Sequence, residues 1–568
     1  MSTESTQSEK LEQERALLQA AHAKGGLSRL LTYTRLSGPG WLQSAITLGG
    51  GSLSSSLFLG VLGGVALLWI QPVAMLLGVI MLCAITYVCL STGDKPFDLV
   101  HKHVNPVIAW GWIIATVLAN IIWSLPQFSL GTAAITQNLL PGMDPILASV
   151  IMLVISVVII LLYDSGSKGI RIFENVLKII VALIVLSFIG VVVRLSIASD
   201  GLAWASILSG FVPDMSLLTS PAETFAPYLA GLGAEARDFW QATIVSQQRG
   251  VIFSGATYAV GINMTFLLPY SQLAKGWDKD FRGLARFDLS TSLLIPFVLA
   301  TSCVVIAASN QFHTVPEKGL ITELSANGDV VLVDAEEENA GLKGTYAKLL
   351  DQRLAADGIV LSEMSEQEKV LARAQLPIED KRLAAMLVKR NALTLSSSLE
   401  PLMGKIFSNY VFGFGVFAMT LSSIIILMLI NGFAFCELLG LPHTGVWKRV
   451  GSLMPAIGVL GPVIWKEASF WVVVPTATIG LIALPLAYIS FFVLFNSKAV
   501  LGDDRVEGKT RYVLNAFMAT AILFVSFGCV WATYDRAGLY GLAGIVFFLV
   551  LAAFAHLRRR ANAAASNP

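Results

Sequence analysis

Charge is scarce in this 568-residue chain: Asp, Glu, Lys and Arg make up 14% of residues, against about 25% in a typical soluble domain. Together with 55% hydrophobic residues and a mean hydropathy of +0.70, that scarcity excludes a soluble globular protein. Histidine is scarcer still. His22, His101, His103, His313, His443 and His556 all fall in tails or loops, and no G-x-S-x-G elbow, H-E-x-x-H helix or phosphate-cradling loop is present. No enzyme and no cofactor are expected. His101 and His103, spaced i and i+2, lack a nearby third ligand and read as part of a solvated loop, so no metal site is assigned to them. The five cysteines, Cys83, Cys89, Cys303, Cys436 and Cys529, lie in or beside apolar segments without C-x-x-C spacing, which fits small buried hydrophobes. A formal charge of +1 supplies no field that would recruit nucleic acid.

Long apolar runs fill the chain instead. Twelve segments between residues 40 and 557 are each of a length to cross a hydrocarbon layer about 30 Å thick. The expected class is an all-α polytopic membrane protein of about 12 transmembrane helices. Lys95, Lys102, Lys168, Arg171, Lys275, Lys279, Lys448, Arg449, Lys498 and Arg558 to Arg560 crowd alternate loops, so the positive-inside rule puts both termini in the cytoplasm and the protein in a plasma (inner) membrane. The polar start shows no signal-peptide pattern, and insertion is expected to be directed by the first span. Five regions follow: a cytoplasmic arm at 1–37, seven spans at 38–309, an outer helical insertion at 310–407, five spans at 408–557 and a cytoplasmic tail at 558–568. A polar segment as long as 310–407 is expected to carry structure or a role of its own.

The first span, Gly38 to Gly60, contains Gly49, Gly50 and Gly51 followed by Ser52, Ser54, Ser55 and Ser56. Each glycine costs about 1 kcal/mol relative to alanine inside a helix, so the helix should open there. Close packing by small residues would use the same composition. The sixth span, Ser254 to Ser271, repeats the pattern with Gly255, Gly261, Asn263, Thr265 and Pro269. Broken helices at corresponding places of two halves are how transporters aim half-helix ends at a solute near mid-membrane, and they predict a LeuT-type inverted repeat with broken first and sixth helices. The central site would then draw on Gly49, Gly50, Gly51, Ser52 and Ser55 from the first span. Ala256, Thr257, Tyr258, Ala259 and Asn263 would come from the sixth, with Asn120, Trp123, Ser124 and Gln127 of the third and Thr476 and Thr478 of the tenth completing the wall.

These residues carry a resemblance to the NRAMP (natural resistance-associated macrophage protein) group, within the amino acid, polyamine and organocation superfamily. The matching features are Gly38 with Pro39, the run Leu67, Leu68 and Trp69, the loop from Thr92 to Val100, and Gly255, Ala256 and Thr257 opening the sixth break. Arg286 with Asp288, Leu421 to Ser423, and Lys448, Arg449, Pro455 and Ala456 also fit. The resemblance implies alternating-access metal transport coupled to protons. The family's metal-binding motif of the first helix falls on Gly49, Gly50, Gly51 and Ser52, however, its methionine on Ala259 and its histidine on Gly261. Its third-helix acids fall near Val117, Ser124 and Gln127. A site without carboxylate, thioether or imidazole predicts that transition-metal and proton symport is weak or lost, and that a small organic or anionic solute is carried. The alternative is a divalent cation, magnesium or manganese, held by backbone carbonyls and water; a second is a receptor or scaffold without transport. Expected partners are the small solute or cation and membrane lipid.

Overall fold

Lipid offers a backbone no hydrogen-bond partners, so each apolar run must satisfy its own peptide groups, and helices do so. The computed structural model describes residues 2–163, 167–197, 201–335, 337–390, 400, 404–464 and 473–565, and it is an all-α bundle with one small hairpin. Nine helices among the described residues are long and apolar enough to span a membrane, or ten if the pair 480–496 and 498–504, bent by 67°, counts as one span. The protein is an integral membrane protein.

Two features lower the count among the described residues. The segment expected at 451–466 is divided into Val446–Leu453, a tighter turn at Met454–Leu460 and a helix from Gly461 that is described as far as Ile464. The last two expected spans run on as one helix, Gly508–Ala565, bent at Gly538, whose φ of 54° a residue with a side chain rarely adopts.

Local chemistry sets the helix ends that matter for the site. The third span, Pro106–Ala133, begins where the Asn105 side chain accepts the Val107 amide at 2.8 Å, with proline at the first helical position. The second, Ile70–Thr92, stops at Gly93 in the left-handed region, φ 72°. Around the centre, Gly413–Leu438 of the eighth span packs on the third, while Gly50–Gly63 packs on Ile295–Phe312 and on Ala234–Ala259. Gly60 allows one of these approaches, since a β-carbon there would lie 2.6 Å from the Val305 carbonyl oxygen.

Both termini lie at one end of the bundle. Arg15 of the first helix, Ser2–Lys24, bridges Asp278 at 2.7 Å and Asp280 at 2.5 Å in the loop after the sixth span. From the same loop Arg282 reaches Asp504 at 3.0 Å, and near the other terminus Arg559 donates to the carbonyls of His101 and Lys102. Leu18, Tyr33, Trp277 and Phe281 form a separate small apolar cluster beneath this arm.

At the opposite end sits the polar insertion. It is not wholly helical: Thr322–Leu324 pairs antiparallel with Val330–Leu332, Glu323 opposite Val331, before the helices Ala340–Ala356, Glu366–Gln375 and Ile378–Met386. Residues 391–399 and 401–403 of the segment are outside the described ones. Its buried Asp380 accepts the Trp240 indole at 2.6 Å and Arg353 Nε at 3.0 Å, which joins the insertion to the start of the sixth span.

Candidate functional site

The first span breaks earlier and more narrowly than its glycine run implies. Pro39–Thr47 ends, Leu48 and Gly49 leave helical geometry, and Gly50–Gly63 resumes the helix, so Gly50 and Gly51 open the second half instead of forming a loop. None of the three needs a left-handed φ. Their role is close approach: a β-carbon on Gly49 would overlap the Ser423 hydroxyl of the eighth helix, and one on Gly50 would sit 2.6 Å from Gln127 Oε1. Gln127 uses that proximity, accepting the Gly50 amide at 3.1 Å and so satisfying one orphan donor of the new helix.

The sixth span breaks at Val260 and Gly261, between Ala234–Ala259 and Ile262–Ala274. Here too a close contact explains the glycine. The Trp123 ring lies 3.2 Å from where a Gly261 side chain would begin, and its indole nitrogen donates to the Thr476 carbonyl at 2.8 Å.

Between the two breaks is a cavity of about 30 Å³ lined by Ile46, Gly51, Trp123, Gln127, Thr257, Gly261, Asn263, Met264, Ser423 and Leu427. Of the residues expected from sequence, Gly51, Trp123, Gln127, Thr257 and Asn263 line it. Asn120 stands one bond away, accepting Asn263 Nδ2 at 3.2 Å, and the Thr476 carbonyl accepts the Trp123 indole. Ser52 donates to the Thr47 carbonyl, Ser55 reaches the Val251 carbonyl at 3.4 Å, and Ser124 bonds the Ile121 carbonyl of its own helix at 2.8 Å, close to Gly458. Gly49 and Gly50 flank the cavity through Ser423 and Gln127, as described above. Ala256, Tyr258 and Ala259 occupy the last turn before the sixth break, and Thr478 lies on Val473–Asn496.

Reasoning from sequence missed Ile46, Met264, Ser423 and Leu427. Met264 bears directly on the chemistry, because it puts a thioether in a cavity expected to hold none; its sulfur also accepts the Thr47 hydroxyl at 3.2 Å. Its signal was its place beside Asn263, on the first turn after the break. Ser423 had no local signal, since it meets Gly49 only through the packing of distant helices.

The directions of the hydrogen bonds leave the cavity both acceptors and a donor. Thr257 gives its hydroxyl proton to the Phe253 carbonyl at 2.9 Å and Asn263 gives one amide proton to Asn120, so both leave oxygen lone pairs, whereas Gln127, its oxygen taken by the Gly50 amide, leaves amide protons to donate. Ile46 and Thr47 form the carbonyl end of a half-helix, where the backbone dipole is negative. Met264 adds a soft thioether. No charged side chain lines the cavity, and among the described residues no group of three or more His, Cys, Asp or Glu could hold a metal.

Polar contacts tie the helix ends on either side of the cavity. Toward the termini, Asp288 accepts the Ser37 hydroxyl and the Gly40 amide, the latter at 2.6 Å, pinning the start of Pro39–Thr47; Lys275 pairs with Glu174 at 2.6 Å beside it. At the other end His313 Nδ1 meets the Val61 carbonyl at 2.9 Å and its Nε2 meets Thr224 Oγ1 at 2.6 Å.

Residues 40–328 and 383–532 match the family model described as natural resistance-associated macrophage protein-like. The chain is 24% identical over 190 residues to the manganese transporter pdt1 of Schizosaccharomyces pombe, covering 33% of this chain and 35% of that protein. It is 27% identical over 154 residues to the metal transporter Nramp4 of Arabidopsis thaliana, covering 27% and 29%. The alignments thus span about a third of the length of these curated relatives. Among solved structures, a mutant of the Eremococcus coleocola manganese transporter superposes with a TM-score of 0.59 at 14% identity over 94% of each chain. The same transporter in complex with an aromatic bis-isothiourea substituted compound gives 0.58 at 15% identity, again over 94% of each. At such identity these structures speak for the fold alone.

Proposed function

The chain belongs to the natural resistance-associated macrophage protein-like family, a family of membrane transporters, and on that premise we propose that it carries a divalent metal cation by alternating access, as a facilitator without proton coupling. The observation that carries this reading is the small size of the central cavity. At about 30 Å³ it is closer to the share of one water in the liquid, about 30 Å³, than to the roughly 150 Å³ that takes a benzene ring. An ion that keeps a water fits this scale; an organic solute of several heavy atoms does not. The organic or anionic cargo anticipated from the glycine run therefore has less support than the cation.

The donor set refines the proposal. Neutral oxygens from Asn263, Thr257 and the carbonyl end of Pro39–Thr47 suit a hard or intermediate ion, and Met264 biases the choice toward manganese over magnesium or calcium. Without a carboxylate the ion keeps part of its hydration and binds weakly. With neither carboxylate nor imidazole among the lining residues, the cavity offers no carrier for a coupled proton. In this reading the end bearing the termini faces the cytoplasm.

The test is uptake into proteoliposomes loaded with a manganese-sensitive dye and a pH dye. Saturable manganese influx without acidification is expected. Asn263→Ala should lower it about tenfold, equivalent to one lost ligand of about 1.4 kcal/mol, while Met264→Leu should narrow the preference for manganese over magnesium. Influx no faster than in protein-free liposomes would overturn the proposal.

A further inference from the structure

The half-helix Pro39–Thr47 carries a polar stripe through the apolar bundle, between the central cavity and the end that bears the termini. Gly40, Gln43, Ser44 and Thr47 recur at the i, i+3, i+4 and i+7 spacing that puts residues on one helix face, and all four are buried. At one end of the stripe the Gly40 amide meets Asp288 at 2.6 Å, and a β-carbon on Gly40 would overlap the Ser292 hydroxyl of the same seventh span. At the other end the Thr47 hydroxyl reaches Met264, which lines the cavity. With a helical rise of 1.5 Å per residue, the stripe is about 10 Å long.

The two residues between those ends are unsatisfied. Gln43 is fully buried, and neither its amide oxygen nor its amide nitrogen has a hydrogen-bond partner among the described residues. Ser44, buried as completely, leaves its hydroxyl unpaired too, whereas Ser156, Thr301 and Ser490 in other spans return theirs to the carbonyl one turn back. Burying an amide and a hydroxyl without partners is costly, and lipid supplies none, so the pair calls for an occupant that both donates and accepts.

We propose that Gln43 and Ser44 form a hydration site within the membrane, holding internal water on the route between the central cavity and Asp288. An amide oxygen that accepts, an amide nitrogen that donates and a hydroxyl that does either match water, which makes about three hydrogen bonds at a buried site. The role of the site rests on the cation reading above. An ion held by neutral oxygens keeps part of its hydration shell, and on leaving the cavity it must pass along an otherwise apolar bundle. Gln43 stands midway on the stripe, where its oxygen and the water beside it replace the ligands left behind at Asn263 and Thr257. The bonds from Ser37 and Gly40 to Asp288 hold this face against the seventh span, so their release uncovers the hydrated stripe from the end that bears the termini.

The test is X-ray hydroxyl-radical footprinting of the full chain in phosphatidylcholine nanodiscs, in which radicals form in place from bound water and oxidise the side chains beside it. Met264, buried but joined to the stripe through Thr47, is the reporter, and the fully buried Met419 is the dry reference. Met264 should be oxidised severalfold faster than Met419. Gln43→Leu, close to glutamine in volume, should slow Met264 severalfold, and Gln43→Asn should keep much of the rate. Ser44→Ala, a smaller change, should act in the same direction and serves if Gln43→Leu does not fold. The proposal is overturned if Met264 is as protected as Met419, or if neither Gln43→Leu nor Ser44→Ala slows its oxidation, which would put the water in the central cavity alone. Manganese influx into proteoliposomes then separates the site from its role. Gln43→Leu should lower the maximal rate severalfold with little change in the half-saturating concentration, and Gln43→Asn should restore part of it. A hydrated stripe in a wild type that carries no manganese would overturn the cation reading and leave the hydration site standing. A hydrated stripe with full influx in Gln43→Leu would overturn its part in release.

Discussion

The two ends of the bundle are tied by different kinds of contact. Toward the termini, a buried carboxylate, Asp288, accepts the first donors of the half-helix Pro39–Thr47, so a single side chain on the seventh span holds a lever of the first. At the opposite end the insertion is fastened by a buried network of Asp380, Arg353 and Trp240, and His313 bonds the Val61 carbonyl at the top of the other half-helix. One end depends on a few charge-assisted bonds to a single residue. The other shares its closure between a packed subdomain and an imidazole. The first should open in an all-or-none way, the second by degrees.

The largest effect should come from breaking the insertion's network. Arg353→Met would leave Asp380 as an uncompensated buried charge, a change that costs about 3–5 kcal/mol. Trp240, fully buried and bonded to the same carboxylate, reports it: its fluorescence should shift to the red. An unchanged spectrum would remove the insertion's network from the comparison.

Asp288→Ala comes next. It strands the Gly40 amide and the Ser37 hydroxyl, with an expected cost of about 2–3 kcal/mol, a shift of roughly 30- to 150-fold toward opening at the termini. With the five native cysteines replaced, Ser44→Cys should then be labelled faster by a polar thiol reagent. Equal labelling with Asp288 present would mean that this residue is no latch.

A smaller effect should appear with pH at the other end. Burial pushes the His313 imidazole below its ordinary value, and the Val61 carbonyl pulls only partly the other way. Because the folded protein favours the neutral ring, its contribution is complete above the ordinary histidine pKa of about 6.5 and is lost as pH falls through and below it. The protection of amides at residues 61–67, taken relative to intrinsic exchange at the same pH, should fall between pH 7.5 and 5.5, and His313→Gln should flatten that response. The smallest change is expected from Arg15→Gln. Its bridges to Asp278 and Asp280 are about a third or more exposed, so the cost should stay within about 1 kcal/mol, visible only as easier proteolysis of the amino-terminal helix.

How much of this was legible depended on whether the cause was local. The two broken helices could be read, because glycine and serine runs weaken a helix wherever they occur. The width of the first break could not be read. Gly50 and Gly51 stay helical, and what makes Gly50 a glycine is contact with Gln127, Leu130 and Thr420, on helices that no local pattern connects to it. Searching for a thioether at Ala259 overlooked Met264, five residues later, because the turn at Val260 and Gly261 brings the start of the next half-helix to the same cavity. The small hairpin carried a signal that went unused: Asn327 with Gly328, φ 84°, between two β-prone stretches.

Trp123 carries one more consequence. Its ring is wedged between Gly261 and Gly480 while its nitrogen is tied to Thr476. Widening the chamber for a bulkier guest would require that indole to swing, giving up the bond and colliding with one glycine or the other. Should the cavity carry the cation proposed above, the resistance of that indole to rotation would act as a turnstile, limiting the diameter of the passenger.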